Sequence, residues 1–150
     1  FDLNLFFLGV AGVDIYNADR MQGLDASYPF NLYDEAENRW TGEGSSNSIP
    51  RATVNRDNLN FRTSDLFVEN GSFLRLKNLT LGYTLPAIAT QSIGMTDLRF
   101  YVTGQNVFTI TDYSGLDPEL GYVDGNLQRN VDYAQYPQAQ TWVFGLTAGF

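Results

Sequence analysis

The chain has 150 residues, 43% of them apolar and 22 of them aromatic, which is a globular rather than a disordered composition. It contains neither cysteine nor histidine, which excludes disulfides and thiolate metal sites and removes the commonest general base. A net charge of −8 argues against nucleic acid as a partner, since phosphate binding needs a basic surface.

The first segment, residues 1–13, opens with alternation: Phe1, Leu3, Leu5 and Phe7 oppose Asp2 and Asn4. It then becomes apolar on both faces. The stretch free of polar residues runs only from Leu5 to Val13, far short of the about 20 residues of a spanning helix. Phe1-Asp2-Leu3-Asn4 has no basic n-region and no initiator Met, so the chain reads as starting inside a longer protein. Residues 14–72 follow, rich in Asn, Asp, Ser and Gly, with Gly42-Glu43-Gly44-Ser45-Ser46-Asn47-Ser48 as the extreme. They read as one long loop. Near its end Asn70-Gly71 reads as a tight turn leading into the next strand.

That strand, residues 73–84, changes phase. Leu74 and Leu76 fall in one register and Leu79, Leu81 and Tyr83 in the other, so a bulge is expected at Lys77-Asn78. A modest turn over 85–97 holds Pro86 and Gly94. In the strand over 98–110, Leu98, Phe100, Val102, Phe108 and Ile110 share a face, Gly104 and Asn106 interrupt it, and Val107 is an exception on the other. A second long loop covers 111–140. Its carboxylates Asp112, Asp117, Glu119, Asp124 and Asp132 lack calcium-loop spacing and read as solvated charge.

The last segment, 141–150, alternates without a fault. Trp142, Phe144, Leu146, Ala148 and Phe150 form a large apolar face against Thr141, Val143, Gly145, Thr147 and Gly149. Its eight steps of roughly 3.3 Å, tilted by about 40°, span on the order of 20 Å, near the ~25 Å lipid band of a transmembrane barrel. Alternation alone fits the half-buried strands of a soluble sandwich equally well. The order long loop, short turn, long loop fits a barrel, with short turns on one side and long loops on the other. Charge agrees: of 26 charged residues, only Asp2, Arg75, Lys77 and Arg99 lie in the four strand segments. Four strands cannot close a barrel, and an open edge in lipid costs several kcal/mol per unpaired group. The expected fold is therefore all-β: an antiparallel transmembrane β-barrel, of which this chain supplies the last four strands.

At this point the residues resemble one family, the SusC/RagA-type TonB-dependent outer-membrane transporters. The resemblance runs in order through nearly the whole chain: Phe1-Asp2-Leu3-Asn4-Leu5-Phe6-Phe7, Asp14-Ile15-Tyr16-Asn17, Asn38-Arg39-Trp40-Thr41 and Ile49-Pro50-Arg51-Ala52. It continues through Phe67-Val68-Glu69-Asn70-Gly71-Ser72-Phe73-Leu74-Arg75-Leu76-Lys77-Asn78-Leu79-Thr80-Leu81-Gly82-Tyr83 and the segment from Leu98 to Thr109. Tyr113-Ser114-Gly115-Leu116-Asp117-Pro118-Glu119, Tyr136-Pro137-Gln138 and Phe144-Gly145-Leu146 complete it. Where the family often has Pro-Arg after Tyr-Pro-Gln, this chain has Ala139-Gln140.

The resemblance implies a plugged barrel of about 22 strands in the outer membrane of a Gram-negative bacterium, crossing it many times. It implies import of nutrients such as oligosaccharides or peptides, driven by TonB through a part outside these residues and capped by a SusD-like surface lipoprotein. The loops 14–72 and 111–140 would then be extracellular and the turn 85–97 periplasmic. The alternative is a structural barrel that serves as an assembly or docking partner without transport. No enzyme activity and no cofactor or metal is expected. Trp142, Phe144, Leu146, Ala148 and Phe150 form the expected lipid face and the signal for the barrel-assembly machinery. Trp40, Tyr113, Tyr122, Tyr133 and Tyr136 are the candidate contacts to ligand or lid, because aromatic side chains are favoured at interfaces.

Overall fold

The computed structural model describes residues 1–27, 29–55, 57, 59–92, 94–121 and 129–150. In chain order its strands are β1 (Asp2–Val10), β2 (Asp14–Asn17), β3 (Val68–Asn70), β4 (Phe73–Thr84), β5 (Asp97–Thr111), β6 (Val131–Asp132) and β7 (Thr141–Gly149). Two short helices, α1 (Ala18–Leu24) and α2 (Ala87–Gln91), accompany them. These elements form two compact units: a sheet unit of Phe1–Ala11, Ser72–Thr111 and Pro137–Phe150, and a loop unit of Gly12–Gly71 and Asp112–Tyr136.

The sheet unit is one antiparallel sheet in the order β1-β4-β5-β7. Residues in register share a face, because side chains alternate with period two. One set of rows is therefore apolar across all four strands: Leu3–Leu81–Val102–Phe144 and Leu5–Leu79–Gly104–Trp142, with Tyr83–Phe100–Leu146 beside them. The Phe1 ring stacks on Tyr83 at 4.4 Å. The intervening rows are mostly small or polar, with Phe6, Tyr101 and Val143 as their larger members: Asp2–Gly82–Tyr101–Gly145, Asn4–Thr80–Thr103–Val143 and Phe6–Asn78–Gln105–Thr141.

The phase slip in β4 is a bulge. Every β1 residue from Asp2 to Val10 has a partner, whereas β4 skips Lys77. Leu74 and Leu76 thus pair with Gly9 and Phe7, in the same alternating β1 set that pairs with Leu79 and Leu81. Opposite Lys77, β5 leaves Asn106 and Val107 unpaired, and Asn106 takes a φ of +50°. This turns Val107 out of its expected phase: its side chain lies beside Gly104 and Trp142. Val10, Phe73 and Thr111 share one end of the sheet, so both long connections leave from there. The other end carries α2 in the 85–96 turn, tied down by Thr96 N–H donating to Gly149 at 2.9 Å.

The two long loops are not structureless. In the loop unit β2 pairs antiparallel with β3 and parallel with β6. Asn17 caps α1, its side chain accepting from the Arg20 N–H at 2.8 Å, with Asp19 in the first turn where the helix dipole favours a carboxylate. A core forms from Leu24, Ala36 and Phe67, with Tyr16, Met21, Phe61 and Leu66 packed around it. Ala36 and Phe67 come from the 3-10 turns Asp34–Asn38 and Asp65–Phe67. Asn70-Gly71 is no hairpin turn. The Gly71 N–H bonds Val13 at 2.8 Å, and a Cβ there would stand 2.5 Å from the Ile15 side chain, so close packing requires the glycine.

Candidate functional site

The sheet unit presents two chemically different faces. On the apolar face Phe144 is 80% exposed, Leu146 59%, Trp142 46% and Phe150, just beyond β7, 88%, while Ala148 is half-buried. Leu3, Leu5, Phe7, Leu81 and Phe100 extend this surface over the other strands, all exposed. No described residue of the sheet unit covers them. A continuous apolar sheet of this breadth requires a nonaqueous neighbour.

The polar face is built around an ion pair that crosses a strand. Arg99 of β5 donates to Asp2 of β1 at 2.6 Å, over Gly82 of the intervening β4. A Cβ on Gly82 would sit 2.5 Å from both partners, so only glycine lets them meet. Tyr101 lies in the same way across Gly145. Thr80 and Thr103 share a hydroxyl bond at 3.1 Å, and the buried Arg75 donates to Thr109 at 2.7 Å. Asp2, Arg75 and Arg99 are visible in the sequence as charges inside strands. Their pairing is not, because Asp2 and Arg99 stand 97 positions apart.

In the loop unit, charge is organised around Arg20. Its guanidinium holds the Glu35 carboxylate with two bonds, at 2.9 and 2.5 Å, and donates to the Leu66 carbonyl at 3.0 Å. The Glu35 bond raises Arg20 above its ordinary pKa, and the Arg20 bond holds Glu35 below the usual carboxylate range. Glu69, 3.8 Å from Arg20, accepts from Asn17 at 3.1 Å and from the Ser114 N–H at 3.0 Å. Tyr33 donates to Asp19, which pushes the phenol up to about 12.

The aromatic contacts expected from the sequence lie in different settings. Trp40 and Tyr133 are partly exposed and Tyr136 fully so. Tyr122 lies outside the described residues. Tyr113 departs from the expectation: it is 6% exposed, and its hydroxyl donates to Asp132 at 2.6 Å. Burial, then that bond, raise its pKa strongly. The carboxylates read as solvated also divide. Asp132 and Asp117 are buried; Asp132 accepts from Tyr113 and from the Gln135 N–H, and Asp117 from the Glu119 N–H at 2.9 Å. Asp124 lies outside the described residues. Among the described residues no group of acidic side chains is arranged to hold a metal ion.

An antiparallel sheet with one apolar face, one largely polar face and long connections at one end has the pattern of a membrane β-barrel wall. No family model matches the chain. It is 36% identical to TonB-dependent receptor P3 of Formosa agariphila over 156 aligned residues, covering all of this chain and 15% of that protein. To TonB-dependent receptor SusC of Bacteroides thetaiotaomicron it is 41% identical over 88 residues, which is 58% of this chain and 8% of that one. The solved structure of the RagAB peptide transporter aligns over 99% of this chain and 16% of its own, with a TM-score of 0.76 and 28% identity. The RagAB peptide importer in its closed-closed state gives a TM-score of 0.77 at 29% identity. The chain belongs to the SusC/RagA family of TonB-dependent outer-membrane transporters. It spans 15% of the length of the Formosa receptor.

Proposed function

We propose that this chain is part of the wall and outer loops of a TonB-dependent outer-membrane importer of nutrients such as oligosaccharides or peptides. The observation that carries the reading is the apolar face running unbroken across all four strands, backed by a polar face with an inter-strand ion pair. A soluble sandwich would bury one such face against a second sheet. Lipid outside and a polar lumen inside fit both faces at once. The relatives are named as receptors and transporters rather than enzymes.

In this reading the four strands belong to a barrel of about 22, the size class of plugged outer-membrane transporters. The loop unit stands outside the cell and the α2 turn in the periplasm of a Gram-negative bacterium, with the chain crossing the membrane repeatedly. A SusD-like lipoprotein caps the mouth, and TonB drives transport through a part of the protein outside these residues. Trp142, Phe144, Leu146, Ala148 and Phe150 face lipid and serve as the signal for the barrel-assembly machinery. Trp40, Tyr133 and Tyr136 remain the described candidates for contact with lid or ligand.

The test is uptake by cells expressing the full-length receptor, with and without TonB and with the proton-motive force collapsed. Nutrient accumulation that requires both is expected. Receptor present in the outer membrane with uptake indifferent to TonB would refute the importer reading.

A further inference from the structure

Alternation leaves one property of β7 undetermined. A slip of one residue against β5 would send its apolar set to the other face, but a slip of two keeps both faces as they are. Such a slip would still raise or lower the strand by about 7 Å, a large step against a lipid band of ~25 Å. Two contacts between β5 and β7 distinguish the observed register from its neighbours.

On the apolar face Trp142 stands opposite Gly104, and its ring occupies the space of the missing side chain. A Cβ on Gly104 would meet Trp142 Cζ3 at 2.9 Å and Cη2 at 3.0 Å. The bulge helps to close this socket: with Asn106 in the left-handed region, Val107 comes within 2.9 Å of the same point. On the polar face the roles are exchanged. Tyr101 of β5 stands opposite Gly145 of β7, and the end of its ring fills the place a Cβ would take. The Arg99 guanidinium, held by Asp2, lies 5.4 Å from the centre of that ring. Two side-chain amides reinforce the Trp142 end. Asn106 donates to the Ala139 carbonyl at 3.0 Å, and Gln140 to the Val107 carbonyl at 3.1 Å.

We infer that these two reciprocal aromatic–glycine pairs set the register in which β7 joins the sheet. Slipping β7 by two residues one way would put Val143 opposite Tyr101 and Gln140 opposite Gly104. The other way would put Thr147 and Phe144 there. Both replacements for Gly145 are β-branched and stiff, so the Tyr101 ring loses its place in either direction. The other edge of β7 has no partner among the described residues. Its register on β5 therefore fixes the height at which that edge is offered for closure, and with it the stagger of the barrel. This last step rests on the reading of β7 as the closing strand of a membrane barrel.

The test traps the register by disulfide formation in full-length receptor in outer membranes, with any cysteine elsewhere in the receptor replaced by serine. Directly opposed residues bring their Cβ atoms to about 5 Å, whereas partners two residues along lie at about 7 Å, too far to bridge. Thr103→Cys with Val143→Cys reports the observed register. Thr103→Cys with Thr141→Cys, and Gln105→Cys with Val143→Cys, report the two slips. Only the first pair is expected to cross-link in the parent receptor. Adding Gly104→Ala and Gly145→Ala should lower that cross-link by about threefold or more and raise one of the slipped ones. An unchanged native cross-link in that variant would overturn the inference, as would a slipped pair that cross-links in the parent. If too little of the variant reaches the membrane to be trapped, recovery decides. Tyr101→Ala added to Gly145→Ala should restore it, because the ring that the new methyl meets is gone; a loss that persists would overturn the pairing. Uptake indifferent to TonB would refute the importer reading and leave the register result standing. An unchanged register in the glycine variant with energised uptake would do the reverse.

Discussion

Phe67→Ala tests whether the long loops form a folded unit in their own right. Phe67 is wholly buried, and its ring meets Tyr16 edge-on at 6.3 Å and Phe61 at 6.4 Å, with Leu24 and Ala36 in the same cluster. A buried phenylalanine hides about 150–200 Å², worth about 4–5 kcal/mol at about 25 cal/mol per Å². Measured Phe-to-Ala losses in cores of about 3–5 kcal/mol agree. At about 1.4 kcal/mol per tenfold, a loss of about 3 kcal/mol raises the open population of the unit by roughly two orders of magnitude. The assay is hydrogen exchange on the full-length receptor in detergent, followed by mass spectrometry of peptides covering 16–24, 34–38 and 65–70. Protection in all three should collapse together, while peptides from β4, β5 and β7 keep theirs. Phe67→Leu, closer in volume, should cost less than about 1.5 kcal/mol. A loss of protection below about threefold, or one confined to 65–70, would refute the idea that this ring holds three distant segments in one core.

Further outcomes follow from the same structure. Gly82→Ala should lower the temperature at which the folded receptor loses its compact mobility on unheated gels, by more than Asp2→Asn does. The Asp2–Arg99 pair is partly exposed and worth at most about 1 kcal/mol, whereas the added methyl displaces both partners. Because the folded carboxyl of Glu35 lies below its unfolded value, its contribution is present above about pH 4.3 and is lost as the pH falls through the folded value. Rate-corrected exchange at 17–24 and 34–38 should therefore quicken on acidification, and Glu35→Gln should reduce that dependence. Tyr113→Phe should destabilise the loop unit by about 1–3 kcal/mol, because it leaves the buried Asp132 short of a donor. Deleting Phe150 should reduce the amount of folded receptor recovered from outer membranes; unchanged recovery would refute its role in assembly.

How much of this was legible in the sequence depended on the length of each periodic run. In 141–150 the alternation is unbroken, and every β7 residue from Thr141 to Gly149 has a β5 partner. The fault in β4 was equally visible, since two leucine pairs in opposite phase with Lys77 between them leave few geometries. Val107 is an exception whose cause the sequence does not show, because the left-handed backbone at Asn106 has no signature beyond the residue type. The loop unit is illegible for a different reason. Its strands have four, three and two residues, too short for any period to register. Its core joins Leu24, Ala36 and Phe67 across long stretches of chain, and the same long-range closure buries Asp117 and Asp132, which in sequence look like ordinary loop charge.

The bulge at Lys77 gives β4 two reading frames in one strand. Up to Leu76 the wall is read on even positions, and from Leu79 onward on odd ones. A single insertion or deletion anywhere between Asn78 and Tyr83 would send part of the apolar row to the opposite face. Removing Lys77 itself would instead make the leucines of both halves alternate in one frame. Length changes in this strand are therefore unequal: tolerance should be concentrated at one residue, and it is there that a lineage can shift the wall's upper part against its lower part without unmaking either.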